Sequence, residues 1–149
     1  MSLEKDIQQR EFRSEHQKAL LNLLYTNNHV VSQMNDMFKN YEVTRQQFNV
    51  LRILRGQYPG HASVNLIKER MLDKMSDASR IVERLRVKGF LTREHCESDK
   101  RAVQVTITES GLALLTKMEN DVAQLDSLLN NLSEDETRTL NVLLEKIRS

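Results

Sequence analysis

The sequence contains few of the residues typical of disulfide-stapled or membrane-spanning proteins. Its 149 residues include one cysteine, one proline, four glycines and no tryptophan. One cysteine cannot form an internal disulfide, and no apolar run approaches the roughly 20 residues of a membrane span. Residues 1–13 are charged and lack an apolar signal core, so we expect a cytoplasmic protein. A chain of this length with few aromatic residues can bury a modest core, expected to be mostly aliphatic and Met-rich, which predicts one domain over residues 1–149.

The sequence also lacks the motifs of common enzymes and metal sites. The four histidines are too scattered for metal-ligand spacing: His16, His29, His61 and His95. No nucleophile elbow, phosphate loop or paired-carboxylate motif is present, so we expect no catalysis, no metal and no cofactor. A helical enzyme would need convergent polar residues that no pattern indicates. For Cys96 we favour an inert thiol, although His95 beside it leaves a redox role as the alternative.

Positive charge is concentrated in the middle of the chain. Residues 45–101 carry 13 Lys and Arg against 7 Asp and Glu, whereas the two flanks together carry 9 against 14. The middle is therefore +6 and the flanks are −5, although the whole chain is only +1. Because attraction to phosphate acts over roughly 8 Å at physiological salt, this local charge favours a nucleic-acid partner for the middle segment.

A short helix with one apolar and one basic face is predicted between Ser76 and Gly89. Ser76 is the expected N-cap, Asp77 lies in the first turn, and Gly89 ends the helix. Four residues recur at helical spacing and form the buried stripe: Ala78, Ile81, Val82 and Leu85. Arg80 and Arg84 lie on the opposite face, where they can enter a major groove. A merely solvated face is the alternative.

A β-hairpin is predicted directly after this helix. Val103, Val105 and Ile107 alternate with polar residues, which is the period of a half-buried strand. The turn contains Asp99-Lys100-Arg101, and Asp99 is placed to hold Arg101 by a charge-assisted hydrogen bond. The preceding helix, between Ser76 and Gly89, is called the reading helix below, because its basic face can enter a major groove. A hairpin beside such a helix is a wing, whose tip can reach an adjacent minor groove.

Two more helices are predicted before the reading helix. Thr44 and Gln47 form a capping box, and the helix that they begin ends at Tyr58-Pro59-Gly60. Ser63 or Asn65 caps the next helix, and residues 72–75 turn the chain into the reading helix. This order predicts a helix-turn-helix.

The flanks are helical in pattern. Residues 3–41 carry apolar residues at helical spacing, with a break expected at Asn27-Asn28. Residues 115–132 repeat apolar residues every three or four positions, which predicts one long helix. Ser133 and Glu136 form a capping box for a final helix. Such a seam can pack against the N-terminal helix of the same chain or against a second copy, and the residues alone leave both open.

Nearly the whole chain resembles the MarR family of winged-helix transcriptional regulators. The matching stretches are 79–85 (SRIVERL), 88–93 (KGFLTR), 99–102 (DKRA) and 106–111 (TITESG). The resemblance implies a mainly α fold with a small β-hairpin wing (α+β). It implies a winged helix-turn-helix at residues 44–108 and dimerisation helices at 1–43 and 109–149. Lys100, where the family often has arginine, and the serine-led entry to the reading helix are departures.

The resemblance also implies a function. We expect a homodimeric regulator, a ligand-responsive repressor, that binds a palindromic double-stranded DNA operator with half-sites roughly 10 bp apart. In this scheme Arg80 and Ser79 read bases, Arg84 and Lys74 hold phosphate, and Arg101 enters the minor groove. The full predicted DNA-binding set is Lys74, Ser76, Asp77, Ser79, Arg80, Arg84, Asp99, Lys100 and Arg101. A small aromatic or anionic effector is expected to contact Tyr25, Met34, Met37, Phe38, Tyr41 and Phe48. A winged-helix protein-interaction module without specific DNA binding is the alternative.

Overall fold

The computed structural model describes residues 1–95, 98 and 102–149. In this part of the chain the order of elements is α1 (Leu3–Asp6), α2 (Glu15–Lys39), α3 (Arg45–Gln57), α4 (Val64–Arg70), α5 (Ala78–Val87), β1 (Leu91–His95), β2 (Val103–Ile107), α6 (Glu109–Gln124), a 3₁₀ helix (Leu125–Leu129) and α7 (Glu134–Ile147). The predicted fold class, mainly α with a β-hairpin, is confirmed.

The chain divides into two compact units, Met1–Met37 and Phe38–Ser149. In the first unit α1 is joined to α2 by an ion pair between Glu4 and Lys18. The Lys18 ammonium also lies 5.8 Å from the ring centroid of Phe12, within cation–π range. Leu3 is buried, so the short α1 is anchored by one apolar side chain.

The second unit has one hydrophobic core. Residues from α3, α4, α5, both strands and α6 meet in it: Val50, Leu51, Leu54, Ala62, Ile67, Met71, Ala78, Val82, Leu85, Leu91, Val105, Ile107 and Leu115. The predicted aliphatic character of the core is confirmed, but the core is not Met-rich, because Met71 is the one methionine in this cluster. Because α5 and the hairpin contribute to it, the predicted reading helix and the base of the wing are fixed to the same core.

The strands pair in antiparallel register, with Leu91 opposite Ile107 and His95 opposite Val103. Ala62 extends this sheet from the segment before α4, since Ala62 and Val105 exchange backbone hydrogen bonds of 2.9 and 2.8 Å. The predicted alternation of β2 is confirmed, because Val105 and Ile107 are buried.

Both predicted capping boxes are present. The Thr44 hydroxyl oxygen accepts a hydrogen bond from the backbone N–H of Gln47. In return, Gln47 Oε1 accepts one from the backbone N–H of Thr44. Ser133 and Glu136 make the same pair of bonds at the start of α7. Of the two caps proposed for α4, Ser63 is the one that the structure uses.

Four predicted helix boundaries are wrong. The predicted helical stretch of residues 3–41 is interrupted at residues 7–14, between α1 and α2. The α2 helix runs without interruption through Asn27-Asn28. The long helix predicted through residue 132 ends at Gln124 and continues only as a 3₁₀ helix. The reading helix begins later than expected, because Asp77 and not Ser76 caps it.

Two features of the described residues bear on other functions. No helix among them is both long and apolar enough to cross a membrane. No cluster of three His, Cys, Asp or Glu side chains that could hold a metal ion occurs among the same residues.

Candidate DNA interface

The α5 helix is held at both ends by local hydrogen bonds. At its start Asp77 Oδ1 accepts from the backbone N–H of Arg80 at 3.2 Å. At its end Gly89 adopts a φ of +82°, which favours glycine. The N–H of Gly89 donates to the carbonyl oxygen of Arg86, and the N–H of Phe90 donates to the carbonyl oxygen of Leu85. This pair of backbone bonds defines a Schellman motif. The length and orientation of α5 are therefore fixed by the sequence around it.

One face of α5 is buried and the opposite face is open. Val82 and Leu85 are completely buried and Ala78 nearly so. Ser79, Arg80 and Arg84 are all exposed. Neither Arg80 nor Arg84 forms an ion pair or a side-chain hydrogen bond in the structure of the described residues. Both guanidinium groups are therefore available for an external partner.

The other two arginines of this region are engaged with Glu83. Arg86 makes a two-pronged contact with the Glu83 carboxylate at 2.7 and 2.9 Å. Arg93 on β1 lies 3.4 Å from the same carboxylate. The hydrogen bond from Arg86, with the charge of Arg93, lowers the pKa of Glu83 below its usual value. Glu83 thus links α5 to the wing. Its carboxylate occupies Arg86 and Arg93, whereas Arg80 and Arg84 are left without such a contact.

The turn between α4 and α5 is braced by two acceptor side chains. Buried Asn49 on α3 accepts from the backbone N–H of Leu72 at 2.8 Å. Asp73 accepts from the backbone N–H of Met75 at 3.0 Å. That hydrogen bond, with others from Ser76 and Gln46 and the charge of Arg45, lowers the pKa of Asp73. The turn that leads into α5 therefore has a defined backbone.

Lys74 has a structural contact that its sequence position did not predict. Its ammonium donates to the backbone carbonyl oxygens of Lys68, at 3.4 Å, and Glu69. Both carbonyls lie in the last turn of α4, where a cation suits the negative end of the helix dipole. Lys74 remains exposed, beside the start of α5.

A shallow groove runs between the start of α3 and the open face of α5. Its lining residues are Thr44, Gln46, Gln47, Ser76, Asp77, Arg80, Ile81 and Arg84. On its far side Lys88 donates to the Glu42 carbonyl oxygen at 2.6 Å and to Gln47 Oε1 at 3.2 Å. The groove brings together four of the predicted DNA-binding residues, namely Ser76, Asp77, Arg80 and Arg84.

The base of the wing is attached to the end of α5 through Thr108. Its hydroxyl donates to the Gly89 carbonyl oxygen at 2.7 Å and accepts from the Gly111 N–H at 3.1 Å. Its own N–H donates to the Phe90 carbonyl oxygen at 3.1 Å. One residue therefore caps α6 and joins it to the turn between α5 and β1.

The predicted tip residues Asp99, Lys100 and Arg101, and also Cys96, lie outside the described residues.

The residues predicted to contact an effector divide between the two units. Tyr25 in the first unit is 44% exposed, whereas Met34 and Met37 are half-buried. In the second unit Phe38 is buried and packs on Phe48, with ring centroids 5.1 Å apart. The Tyr41 hydroxyl donates to Asp121 on α6, and this bond raises the pKa of Tyr41.

Sequence reasoning missed three residues that shape this surface. Asn49 and Asp73 fix the turn before α5, and Glu83 binds Arg86 and Arg93. The spacing of Glu83 and Arg86, three residues apart on one helix, was a usable signal for their pairing. No local pattern identifies Asn49, because its partner lies 23 residues away.

Comparison with known proteins agrees with this geometry. The MarR family profile matches residues 43–103. The transcriptional regulator MgrA of Staphylococcus aureus is 31% identical over 113 residues, which cover 76% of this chain and 75% of MgrA. MarR from E. coli, solved as a mutant in complex with operator DNA, is 27% identical with a TM-score of 0.75, and the match covers 99% of both chains.

A third relative is Bordetella bronchiseptica BpsR, whose DNA binding is regulated by 6-hydroxynicotinic acid. It is 25% identical with a TM-score of 0.68, and the match covers 86% of this chain and 99% of BpsR. The matched proteins are regulators and not enzymes. With its capped reading helix, its hairpin and the identity that it shares with MgrA, the chain belongs to the MarR family of DNA-binding, winged-helix transcriptional regulators.

Proposed function

We propose that the protein is a homodimer that binds a palindromic double-stranded DNA operator and releases it in response to a small effector. The observation that carries the proposal is the open face of α5. Arg80 and Arg84 are exposed there without an ion pair in the described structure, on a helix whose opposite face is fixed in the core. A helix held in this way can enter a major groove without losing its own order.

The site residues divide by their positions on the helix. Arg80 lies in the first turn, where recognition helices contact base edges, and its fork matches guanine O6 and N7. Ser79 stands beside it and supplies a hydroxyl. Arg84 lies one turn later and holds phosphate. Lys74 would exchange its carbonyl contacts at the end of α4 for a second phosphate.

The remaining predicted DNA-binding residues act at the margins. Ser76 lines the groove at the entrance to α5, and Asp77 serves as the cap that fixes the first turn of that helix. For the wing we keep the assignment that the family resemblance implies: Arg101 enters the minor groove, Asp99 holds it, and Lys100 lies against phosphate.

A second copy of the chain is the proposed partner of the flanking helices, residues 1–43 and 109–149. On α7 three apolar residues are more than half exposed, namely Val142, Leu143 and Ile147. Leu20 and Leu24 on α2 are also more than half exposed. Burial of such faces in a dimer would place two reading helices about one turn of DNA apart. Light scattering should then give twice the 17.4 kDa of one chain.

The proposal also covers the effector and the direction of regulation. BpsR shows that a relative's DNA binding responds to a small aromatic acid. The candidates here are Tyr25, Met34, Met37, Phe38, Tyr41 and Phe48. We propose that a small aromatic or anionic molecule bound among them shifts the dimer between two spacings of its reading helices, which relieves repression.

The test begins with selection of a binding sequence from a pool of random duplexes. The enriched duplex and a shuffled copy are then titrated by fluorescence anisotropy at two salt concentrations. We expect Arg80→Ala to weaken binding to the enriched duplex about 5- to 150-fold and to relax sequence preference, because a bidentate contact with a base is worth about 1–3 kcal/mol. Arg84→Ala should weaken all sequences alike and reduce the salt slope by about two, one phosphate for each copy.

Arg86→Ala is the matched control, because Arg86 lies on the same helix but is paired with Glu83. It should leave the sequence preference unchanged. Absence of any enriched duplex, or equal effects of the Arg80 and Arg86 variants, would overturn the proposed reading surface. Binding without sequence preference would favour an interaction module instead.

A further inference from the structure

Two large apolar side chains are displayed to solvent at the entrance to the reading helix. Met75 is 94% exposed and Leu72 is 80% exposed, which makes them the most exposed large hydrophobic residues in the described structure apart from the terminal Met1. Both lie in the turn between α4 and α5. Exposure of two large apolar side chains in one short turn is unfavourable in water, so this pair needs an explanation in the function of the turn.

The backbone under these side chains is fixed. The N–H of Leu72 donates to the buried side chain of Asn49 at 2.8 Å. The N–H of Met75 donates to Asp73 at 3.0 Å. Both residues are therefore presented by a braced turn and not by a free loop. A braced turn loses little backbone entropy when its side chains meet a partner.

The charge around the pair selects the partner. Asp73 and Lys74 stand between the two residues, but the Asp73 carboxylate is already held by the Met75 N–H and by the charge of Arg45. Arg80 lies in the first turn of the helix that the pair precedes. A partner at this position must offer negative charge together with small apolar groups. The major groove of DNA does so, because each thymine presents a C5-methyl group there between rows of phosphates.

We propose that Met75 and Leu72 read thymine by contact with its C5-methyl group at the edge of the site that Arg80 occupies. The inference rests on the proposed function and adds a specificity determinant to it. Arginine selects guanine through hydrogen bonds, whereas the apolar pair selects thymine through methyl burial. A methionine suits this task, because its unbranched thioether adapts to the position of the methyl group.

The test removes the methyl group from the DNA and the side chain from the protein in a double-mutant cycle. In the enriched duplex each thymine is replaced in turn by deoxyuridine, which lacks only the C5-methyl group. Wild-type protein should lose about fourfold in affinity at one or more thymines of each half-site, the value of one buried methyl-sized group. For Met75→Ala or Leu72→Ala the same replacement should cost less than twofold.

Val87→Ala is the control, because Val87 is 73% exposed but lies at the far end of α5, the helix that the pair precedes. This variant should keep the full fourfold sensitivity to deoxyuridine. Thermal unfolding should be unchanged in all three variants, since the side chains removed are exposed.

The outcomes separate this inference from the proposed function. An enriched duplex whose binding depends on Arg80, but whose deoxyuridine sensitivity is the same in wild type and in both turn variants, overturns the thymine contact alone. Failure to enrich any duplex overturns both. A turn variant that keeps its DNA affinity but loses a protein partner would assign the pair to protein contact and would also overturn the inference.

Discussion

Gly111 offers a sharp test of how the wing is attached to α6. This residue lies in the first turn of α6, where its N–H donates to the Thr108 hydroxyl. A Cβ atom built on Gly111 would lie 2.3 Å from the Phe90 carbonyl oxygen and 2.7 Å from Ile107 Cγ1. The first of these obstacles is backbone, so it cannot move aside by a change of rotamer. Gly111→Ala must therefore displace the turn between α5 and β1.

Two effects of opposite sign decide the magnitude. Alanine is a better helix former than glycine by about 1 kcal/mol, which favours the variant. Forcing a methyl group into a packed site costs about 1–3 kcal/mol, and more when the backbone must shift. Moving the Phe90 carbonyl would also strain its hydrogen bond from the Thr108 N–H, which is 3.1 Å long. We expect a net loss of about 2 kcal/mol in the free energy of unfolding.

Urea unfolding followed by circular dichroism measures this loss, at one fixed protein concentration because the proposed dimerisation would contribute to stability. With a slope of about 2 kcal/mol per molar urea, the midpoint should fall by about 1 M. Gly56→Ala is the control, because its added Cβ would meet nothing within 4 Å and Gly56 lies inside α3. That variant should gain about 0.5 kcal/mol. A Gly111→Ala variant as stable as wild type would refute the steric reasoning.

Two further predictions concern the turn and the ion pair of α5. Asn49→Ala leaves the N–H of Leu72 without its acceptor, so we expect a loss of about 1–3 kcal/mol by urea unfolding. Contact with Arg86 lowers the pKa of Glu83 in the folded protein. The Glu83 carboxylate therefore stabilises the protein at pH values above its unfolded pKa of about 4.3. This contribution disappears as the pH falls through the pKa of the folded state. Glu83→Gln should therefore show a shallower loss of stability than wild type between roughly pH 5 and pH 3, and an unchanged pH profile would contradict the pairing.

The parts of the fold that are set by neighbouring residues were predictable. The two capping boxes need only residues three positions apart, and both were identified. The hairpin and its buried face follow from the alternation of Val105 and Ile107. The end of α5 follows from Gly89, whose positive φ the Schellman motif requires. In each case the cause lies within a few residues of its effect.

The misplaced boundaries show where local signals are too weak. Two asparagines cost a helix at most about 0.7 kcal/mol each, which is too little to interrupt the 25-residue α2. The apolar seam of α6 has the same period on both sides of Gln124, so periodicity does not reveal its end. The Ser127 hydroxyl donates to the Gln124 carbonyl oxygen at 2.6 Å, a local bond that competes with continuation of the helix. Ser76 and Asp77 are both good caps, and only the folded structure distinguishes them.

The roles of the basic residues could not be predicted from charge alone, because the fold uses some of them internally. Arg86 and Arg93 neutralise Glu83, Lys88 binds the start of α3, and the Lys74 ammonium binds the last carbonyls of α4. Partners close in space but distant in sequence decide most of these assignments. Arg80 and Arg84 differ because Glu83, the one acidic side chain of α5, is already paired with Arg86 and Arg93. The local excess of positive charge thus predicts the region that would meet DNA, whereas the internal contacts show which of its side chains remain available for the proposed reading of bases.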